Sequence, residues 1–294
     1  MSGVSDVSGH SRRSTRQSWP FWRRYSRNPA ANIGLVFVGV VVTSALLAPL
    51  LAPSDPFALG GQRMLQPPFT EGALLGTDHL GRDMLSRLLY GGRTSILVGV
   101  LAAITSSIIG VVVGALAGYL GGRLDSFLMR TTEYVQVIPG FFFAVLVVAI
   151  FGTGLDRIVI VIALLSWPAI ARTARVQFLA LRETEFVEAA RAIGFNSFYL
   201  IFREMLPNAA PPLIVLLSLD VAQAVLIEAS LSFLGLGDPS VISWGKMISD
   251  AQAYLHQAWW LSVLPGVAIF LLVAGANLIG DGLNDAFNPR LKGR

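Results

Sequence analysis

Cysteine is absent from this 294-residue sequence, which excludes disulfide bonds and thiol chemistry. Charged residues are scarce as well, at 14%, whereas soluble proteins carry about 25%. The three histidines, His10, His79 and His256, lie far apart and lack the spacing of a metal site. No G-x-x-x-x-G-K-S/T segment is present to bind the phosphates of ATP, and no Ser/His/Asp or Cys/His motif indicates a catalytic centre. These absences argue against a secreted disulfide scaffold and against an enzyme.

The sequence is instead apolar, with 54% hydrophobic residues and a mean hydropathy of +0.64. Six apolar segments are near the length of about 20 residues that a helix needs to cross a bilayer. They lie at about Ile33–Leu51, Ile96–Leu116, Val135–Phe151, Ile158–Ala174, Pro211–Leu234 and Trp259–Ile279. The first of these segments is longer than the apolar core of a signal peptide, so we interpret it as a membrane-spanning helix and not as a secretory signal. Helices satisfy their own backbone hydrogen bonds in lipid, so we predict an all-α, polytopic membrane protein with six transmembrane helices.

The distribution of basic residues predicts the orientation of these helices. The termini and the loops on their side of the membrane contain 16 Lys and Arg residues, and the other side contains six. Because the cytoplasmic side carries the basic excess, both termini and the loop at 184–207 are expected in the cytoplasm. The same bias explains the net charge of +4 without nucleic acid as a partner. Residues 1–18 are expected to be disordered, and the aromatic and arginine residues of 19–27 are typical of a segment that contacts membrane lipid.

The segment between the first two apolar runs is rich in proline and glycine and is expected to be a periplasmic linker. Leu80, Met84 and Leu88 within it are spaced as on one face of a helix. This spacing fits a short amphipathic helix on the outer leaflet, and a plain spacer is the alternative.

A polar segment between the fourth and fifth apolar runs contains Glu188-Ala189-Ala190, followed by Gly194. Thr184 is suited to cap a helix that begins there, and Gly194 is suited to end that helix in the left-handed conformation. The apolar side chains at helical spacing are expected to share one face. They are Phe186, Val187, Ala190 and Ile193.

A second short helix is expected to follow, with Asn196 or Ser197 as its N-cap. Its apolar residues at helical spacing are Phe198, Phe202, Met205 and Leu206. Pro207 is expected to stop this helix, because proline lacks the N–H group and clashes with the preceding turn. Charged residues flank both helices, so the pair, which we call the hairpin (residues 184–207), belongs in water.

The spacing of Glu188-Ala189-Ala190, Gly194 and Leu206-Pro207 resembles the EAA loop of bacterial ABC importer permeases, whose coupling helix docks into a groove of the ATPase subunit. Further motifs occur in the order found in the second, C-type permease subunit of the dipeptide/oligopeptide/nickel importers. They are Leu75-Gly76-Thr77-Asp78 with Gly81-Arg82-Asp83, Glu228-Ala229-Ser230-Leu231-Ser232-Phe233-Leu234-Gly235-Leu236-Gly237, and Asn277-Leu278-Ile279-Gly280-Asp281-Gly282. The resemblance extends from Leu75 to about Arg290. Glu204 departs from it, because the general EAA pattern prefers Ile there.

This resemblance implies a type I ABC importer permease with a MetI-like core. The implied organisation is a cytoplasmic arm (1–32), a first transmembrane helix (33–52), a periplasmic linker (53–93), a five-helix permease core (94–287) containing the hairpin, and a cytoplasmic tail (288–294). The residues implied to couple to the ATPase are Glu188, Ala189, Ala190, Gly194, Leu206 and Pro207. The implied location is the bacterial inner membrane.

The resemblance also implies the partners of the chain. They are a second homologous permease subunit, two cytoplasmic ATPase subunits and a periplasmic solute-binding protein. No cofactor is expected in this chain, because ATP and Mg would be bound by the ATPase. The implied substrate is a dipeptide or oligopeptide, and nickel chelates and glutathione-like peptides are alternatives carried by the same mechanism.

Polar and small residues within the apolar runs suggest further roles. Gly110, Gly114 and Gly118 form a stripe that permits close helix packing, with a hinge as the alternative. Asp220, Gln223 and Glu228 are costly in lipid and are able to share one polar strip. They either line a wet translocation path or form hydrogen bonds between helices.

Two other classes of protein remain as alternatives. An ion-coupled secondary transporter would require inverted repeats and an ion site near the midplane, and it would leave the hairpin unexplained. A membrane-embedded enzyme such as a hydrolase would require paired catalytic groups at one depth. An ABC importer permease is therefore the predicted function.

Overall fold

The computed structural model describes residues 25–59 and 63–287. Within these ranges the regular secondary structure is helical, and no β-strand is formed. The predicted disorder of residues 1–18, most of the interfacial segment at 19–27 and the predicted tail at 288–294 lie outside the described residues. The all-α prediction is confirmed for the part of the chain that is described.

The helices follow one another along the chain, and the longest connection between them covers residues 52–83. They are α1 (Pro29–Leu46), α2 (Ala48–Leu51), α3 (Met84–Leu120), α4 (Gly122–Val137), α5 (Gly140–Phe151), α6 (Leu155–Arg182), α7 (Glu185–Ala192), α8 (Ser197–Tyr199), a π-helical turn (Leu200–Met205), α9 (Leu206–Phe233), α10 (Trp244–Ala251), a 3₁₀ turn (Gln252–Tyr254) and α11 (Trp260–Phe287).

Five of the described helical segments are long and apolar enough to cross a membrane. A sixth crossing is formed if α4 and α5, which meet at an angle of 83°, act as one broken span. The break lies at Ile138-Pro139, because a residue that precedes a proline disfavours the helical conformation. The hydropathy pattern therefore located the five single spanning helices, and its third segment, Val135–Phe151, covers the bend between α4 and α5, which it did not reveal.

The prediction of a short helix through Leu80, Met84 and Leu88 is wrong. Leu80 lies in a loop, whereas Asp83 caps α3 by accepting a hydrogen bond from the Ser86 backbone N–H at 2.7 Å. Met84 and Leu88 thus lie in the first turns of a 37-residue helix, and Met84 is buried. The predicted limit between the linker and the permease core at residue 93 accordingly falls inside α3.

Glycines allow α3 and α6 to pack in parallel along most of their length. A Cβ atom at Gly110 would lie 2.7 Å from Ile170 Cβ, one at Gly114 would lie 2.3 Å from the Ala171 carbonyl oxygen, and one at Gly118 would lie 2.7 Å from the Arg175 carbonyl oxygen. Each glycine thus stands where any side chain would collide with α6. The glycine stripe therefore lies at the contact between α3 and α6, as expected if its role is close helix packing.

The remaining long helices complete a bundle. α9 runs antiparallel to α3, because Asp220 contacts Ser106 and Glu228 contacts Ser95. α11 begins beside the loop that precedes α3, where the Trp260 indole N–H donates to the Thr77 carbonyl oxygen at 3.2 Å. The ends of α3, α6 and α11 and the start of α9 therefore lie together, and we call this the hairpin end of the bundle.

Candidate functional site

The first helix of the hairpin is built as its sequence suggests. Thr184 occupies the N-cap position in an extended conformation, although its hydroxyl donates to the Leu181 carbonyl oxygen instead of capping the helix. Gly194 follows α7 with φ of +96°, a conformation that favours glycine. Glu188 and Ala189 are exposed and Ala190 is half-buried, so the motif presents one side to solvent.

The second helix differs from its prediction at Pro207. Asn196 does cap α8, since its side chain accepts from the Tyr199 backbone N–H at 2.8 Å. The chain then forms a π-helical turn, in which the Leu206 N–H bonds to the Ile201 carbonyl oxygen five residues earlier. This wider turn accommodates Pro207 in the first turn of α9. The helix therefore continues past Pro207 into the membrane-spanning segment, and the expected stop is wrong.

Apolar contacts anchor the hairpin to the bundle. Val187, Leu200 and Met205 are almost completely buried, and they pack with Phe178 of α6 and Ala115 of α3 in one hydrophobic cluster. The second arm of the hairpin consists of α8 and the π-helical turn, and it continues into α9 without a break. The first arm of the hairpin is α7, and it is held chiefly by its single buried side chain, that of Val187.

The tip of the hairpin exposes side chains that the helical spacing placed on apolar faces. Ile193 is 77% exposed and Phe198 is 71% exposed, and Phe195 between them is 42% exposed. The Phe195 ring stacks on Tyr199 with centroids 4.4 Å apart, so these two rings pack together while the surface of the tip is apolar. Apolar residues on both sides of a turn glycine were the signal that could have identified this surface.

Polar contacts brace the hairpin from α3. The Arg182 guanidinium donates to the Tyr119 carbonyl oxygen at 3.2 Å. The Arg191 guanidinium lies 5.8 Å from the centre of the Tyr119 ring, within the range of a cation–π interaction. Tyr119 in the last turn of α3 therefore contacts the end of α6 just before the hairpin and the last turn of α7, and no sequence motif had indicated this role of Tyr119.

The polar residues of α9 do not form one strip. Glu228 is fully buried, and its carboxylate accepts from the hydroxyls of Ser95 at 2.8 Å and Ser232 at 2.7 Å. The Ser95 hydroxyl also accepts from the Trp244 backbone N–H at 3.2 Å. Glu228 thus joins α3, α9 and α10. Of the two roles expected from the sequence, this arrangement agrees with hydrogen bonding between helices.

Asp220 and Gln223 have different surroundings. Asp220 accepts a hydrogen bond from the Ser106 hydroxyl of α3. Gln223 is exposed and lines an open groove of about 480 Å³ beside the break between α4 and α5, which Gln136 also lines. Of the three residues, Gln223 alone faces this open groove. Within the described residues no three His, Cys, Asp or Glu side chains are placed to hold a metal ion.

A bundle of apolar helices that presents a braced, solvent-exposed hairpin at one end is typical of the transmembrane subunit of a transporter. The family model described as "Binding-protein-dependent transport system inner membrane component" matches residues 110–293. A second model, the "N-terminal TM domain of oligopeptide transport permease C", matches residues 18–68. The chain therefore belongs to the family of binding-protein-dependent transport system inner membrane components.

Curated relatives match nearly the whole chain. The di/tripeptide transport system permease protein DppC of Pseudomonas aeruginosa is 42% identical over 278 residues, covering 92% of each chain. The dipeptide transport system permease protein DppC of Escherichia coli K12 is also 42% identical over 278 residues, covering 92% of this chain and 93% of its own. These relatives agree with the C-type peptide permease predicted from the motifs.

A solved structure supports the fold. The inward-facing MetNI methionine ABC transporter matches with a TM-score of 0.59 at 20% identity, covering 70% of this chain and 98% of that chain. At this identity the match concerns the fold alone. The MetI-like permease core is thereby confirmed.

Proposed function

We propose that this chain is the transmembrane permease subunit of an ATP-driven, binding-protein-dependent importer of dipeptides or oligopeptides. The observation that carries the proposal is the exposed apolar tip of the hairpin, formed by Ile193, Phe195 and Phe198. An exposed apolar surface of this kind is typical of a protein-binding site. The names of the curated relatives supply the substrate class.

Coupling depends on how the hairpin is attached. A partner that pushes on the tip acts directly on α9, because the π-helical turn and Pro207 connect the second arm to that helix without a break. Glu188 and Ala189 supply the solvent-facing side of the first arm, Ala190 packs toward the bundle, and Gly194 sets the angle between the arms. Leu206 and Pro207 carry the movement into the membrane-spanning part of α9.

The partner of the tip is proposed to be a cytoplasmic ATPase, two of which serve one transporter. ATP and Mg are bound there, and this chain contributes no cofactor and no catalytic residue. A second homologous permease subunit is proposed to cover the groove lined by Gln136 and Gln223. The two subunits together then enclose a path whose walls include uncharged amide groups, which suit the backbone of a peptide. A periplasmic solute-binding protein delivers the substrate at the opposite end.

The location is proposed to be the bacterial inner membrane, with the hairpin end in the cytoplasm. The basic excess supports this orientation, with 16 Lys and Arg residues on the side of the hairpin and termini and six on the other. The start of α1 and the end of α11 lie together, since Asn28 donates to Asp285 at 2.9 Å.

Topology reporters test this orientation. A reporter active only in the cytoplasm is expected to be active when fused after Gly194 or Arg294 and silent after Leu65. Activity after Leu65 would contradict the proposed topology.

Transport by the purified complex tests the function itself. The permease pair with its ATPases, reconstituted in proteoliposomes, is expected to hydrolyse ATP faster when the loaded binding protein is added, and to accumulate a labelled dipeptide. Competition by an unlabelled nickel chelate or by glutathione distinguishes the alternative substrates. Uptake that an ion gradient drives without ATP would refute the proposal.

A further inference from the structure

An apolar groove lies between α1 and α3, at the end of the bundle opposite the hairpin. Its volume is about 330 Å³, and its lining includes Val42 and Leu46 of α1 and Leu97 and Val100 of α3. The one charged residue that lines it is Arg93. The groove is therefore an apolar channel with a single cation beside it.

The Arg93 guanidinium has no acidic partner within salt-bridge distance among the described residues. Its side chain is exposed and lies over the Tyr90 ring, 5.8 Å from the ring centre. The nearby Arg82 and Arg87, by contrast, both pair with Asp78. The charge at Arg93 is thus available to an anion from outside the chain.

The groove is short enough to lie within one leaflet of a bilayer. Arg93 follows Gly92, where a Cβ atom would lie 3.3 Å from Ala45 Cβ in the last turn of α1, so the cation stands at the end of that span. From Arg93 to Val100 the α3 axis advances about 10 Å, and one leaflet of the hydrocarbon core is about 15 Å thick. Leu97 and Leu101 continue the exposed apolar surface below Arg93.

We propose that this groove binds one diacyl phospholipid, with the phosphate on Arg93 and an acyl chain between α1 and α3. A phosphate satisfies the unpaired guanidinium through charge-assisted hydrogen bonds, and the chain fills the apolar lining. An apolar protein helix would fill the lining but leave Arg93 without a counter-charge. The orientation proposed above makes this an outer-leaflet site, whereas the groove and its cation do not depend on that orientation.

A second groove provides the matched control. Arg157 lines a cavity of about 540 Å³ between α5 and α6, and its guanidinium donates to Asp156 at 2.8 Å. That groove is also apolar, but its cation is already neutralised. Arg157→Gln is therefore expected to leave phospholipid binding between α1 and α3 unchanged.

The experiment uses the complete transport complex in phosphatidylethanolamine nanodiscs that contain a photoactivatable phosphatidylglycerol with the reactive group in its acyl chain. Cross-links in the wild-type complex are expected within residues 42–46 and 96–100. Arg93→Gln is expected to lower the labelling about fivefold, Arg93→Lys to retain most of it, and Leu97→Trp to lower it by filling the groove. Recovery of the ATPase subunits with each variant checks assembly.

Several results would overturn the proposal. Unchanged labelling in Arg93→Gln would show that the cation does not select the lipid. Equal labelling by a photoactivatable diacylglycerol would show that the phosphate is not recognised, and loss of labelling in inorganic phosphate would indicate a free-anion site. Lipid adducts on other parts of the complex with none at residues 42–46 and 96–100 would show that the groove does not hold the lipid.

Discussion

At the end of the bundle opposite the hairpin, buried charges and hydroxyl groups tie the loops to the helices, whereas the hairpin is held mainly by apolar side chains. Asp78 accepts from the Arg82 guanidinium at 2.7 Å and lies 3.5 Å from that of Arg87, which also contacts Asp250. Glu228 fastens α10 through Ser95 on the same side of the molecule. These contacts have directions and fixed partners, so the loops have little freedom to shift.

The hairpin has fewer directional contacts. Val187, Leu200 and Met205 bury apolar surface, which stabilises without fixing orientation. Its first arm ends at Gly194, where an added Cβ atom would have no neighbouring atom within 4 Å. The comparison separates two kinds of family motif: those around Asp78 and Glu228 lock the structure, and Glu188-Ala189-Ala190 presents a surface to solvent.

Charge at the tip should have the largest effect on transport. The double variant Ile193→Asp/Phe198→Asp is expected to reduce peptide uptake about a hundredfold, because loss of central apolar contacts is costly at protein interfaces. Membrane abundance and thermal stability should stay near the wild type, since both side chains are largely exposed. Uptake of a labelled dipeptide by whole cells and recovery of the ATPase subunits with the purified permease measure transport and docking.

The matched control at the tip is Ile193→Leu/Phe198→Leu, which preserves apolar character and should transport normally.

Gly194→Val should also reduce peptide uptake, but by less than the charged double variant does. At φ of +96° a β-branched residue carries strain of about 1–3 kcal/mol, which changes the angle between the arms without preventing membrane insertion. Normal uptake in the charged double variant would show that the tip is a passive loop.

Removal of the Glu228 carboxylate tests how far the buried polar contacts stabilise the end of the bundle opposite the hairpin. Glu228→Ala is expected to destabilise the complex by about 3 kcal/mol, because it opens a cavity and leaves the hydroxyls of Ser95 and Ser232 without their acceptor. Glu228→Gln should cost less, since one amide oxygen still accepts. The midpoint of thermal unfolding in detergent measures both.

Glu188→Ala sharpens this contrast, because the exposed Glu188 side chain lies on the hairpin. It is expected to lower transport and leave the unfolding midpoint unchanged. If the variants at both carboxylates shifted the midpoint equally, the distinction between a locked end and a presenting end would be lost.

The seam that carries the hairpin should respond to packing. Gly114→Val is expected to destabilise by about 2 kcal/mol, because a Cβ atom would lie 2.3 Å from the Ala171 carbonyl oxygen. Gly39→Val in α1 is the control, since no atom lies within 4 Å of its added Cβ. Unfolding midpoints that fall equally in both variants would exclude close contact between α3 and α6 as the cause.

Local rules predicted several of these features from the sequence. The positive φ at Gly194, the cap at Asn196 and the positions of the six apolar segments follow from short-range sterics and hydrophobicity. The glycine stripe through Gly114 likewise indicated the face of α3 that meets another helix.

Other features depend on contacts that no local pattern contains. The π-helical turn before Pro207 arises where the hairpin joins α9, so a rule about isolated helices fails there. Ile193 and Phe198 are exposed although their spacing suits a buried face, because the bundle offers no surface opposite them. Glu228 is buried and Gln223 faces an open groove, and this difference depends on where α3 and α10 pack against α9.

The smallest expected effect concerns the ion pair that joins α4 to α6 near the hairpin. Arg175 donates to both carboxylate oxygens of Asp125, at 2.5 and 2.6 Å, a two-bond geometry that lysine is unable to reproduce. Because the pair is partly exposed, Arg175→Lys is expected to cost about 1 kcal/mol or less. Arg157→Lys is the control, since its pair with Asp156 is more exposed and should contribute less still. A lower unfolding midpoint in Arg175→Lys than in Arg157→Lys, with modestly reduced uptake, would show that this ion pair supports the hairpin. Equal midpoints would mean that this ion pair contributes nothing to the support of the hairpin.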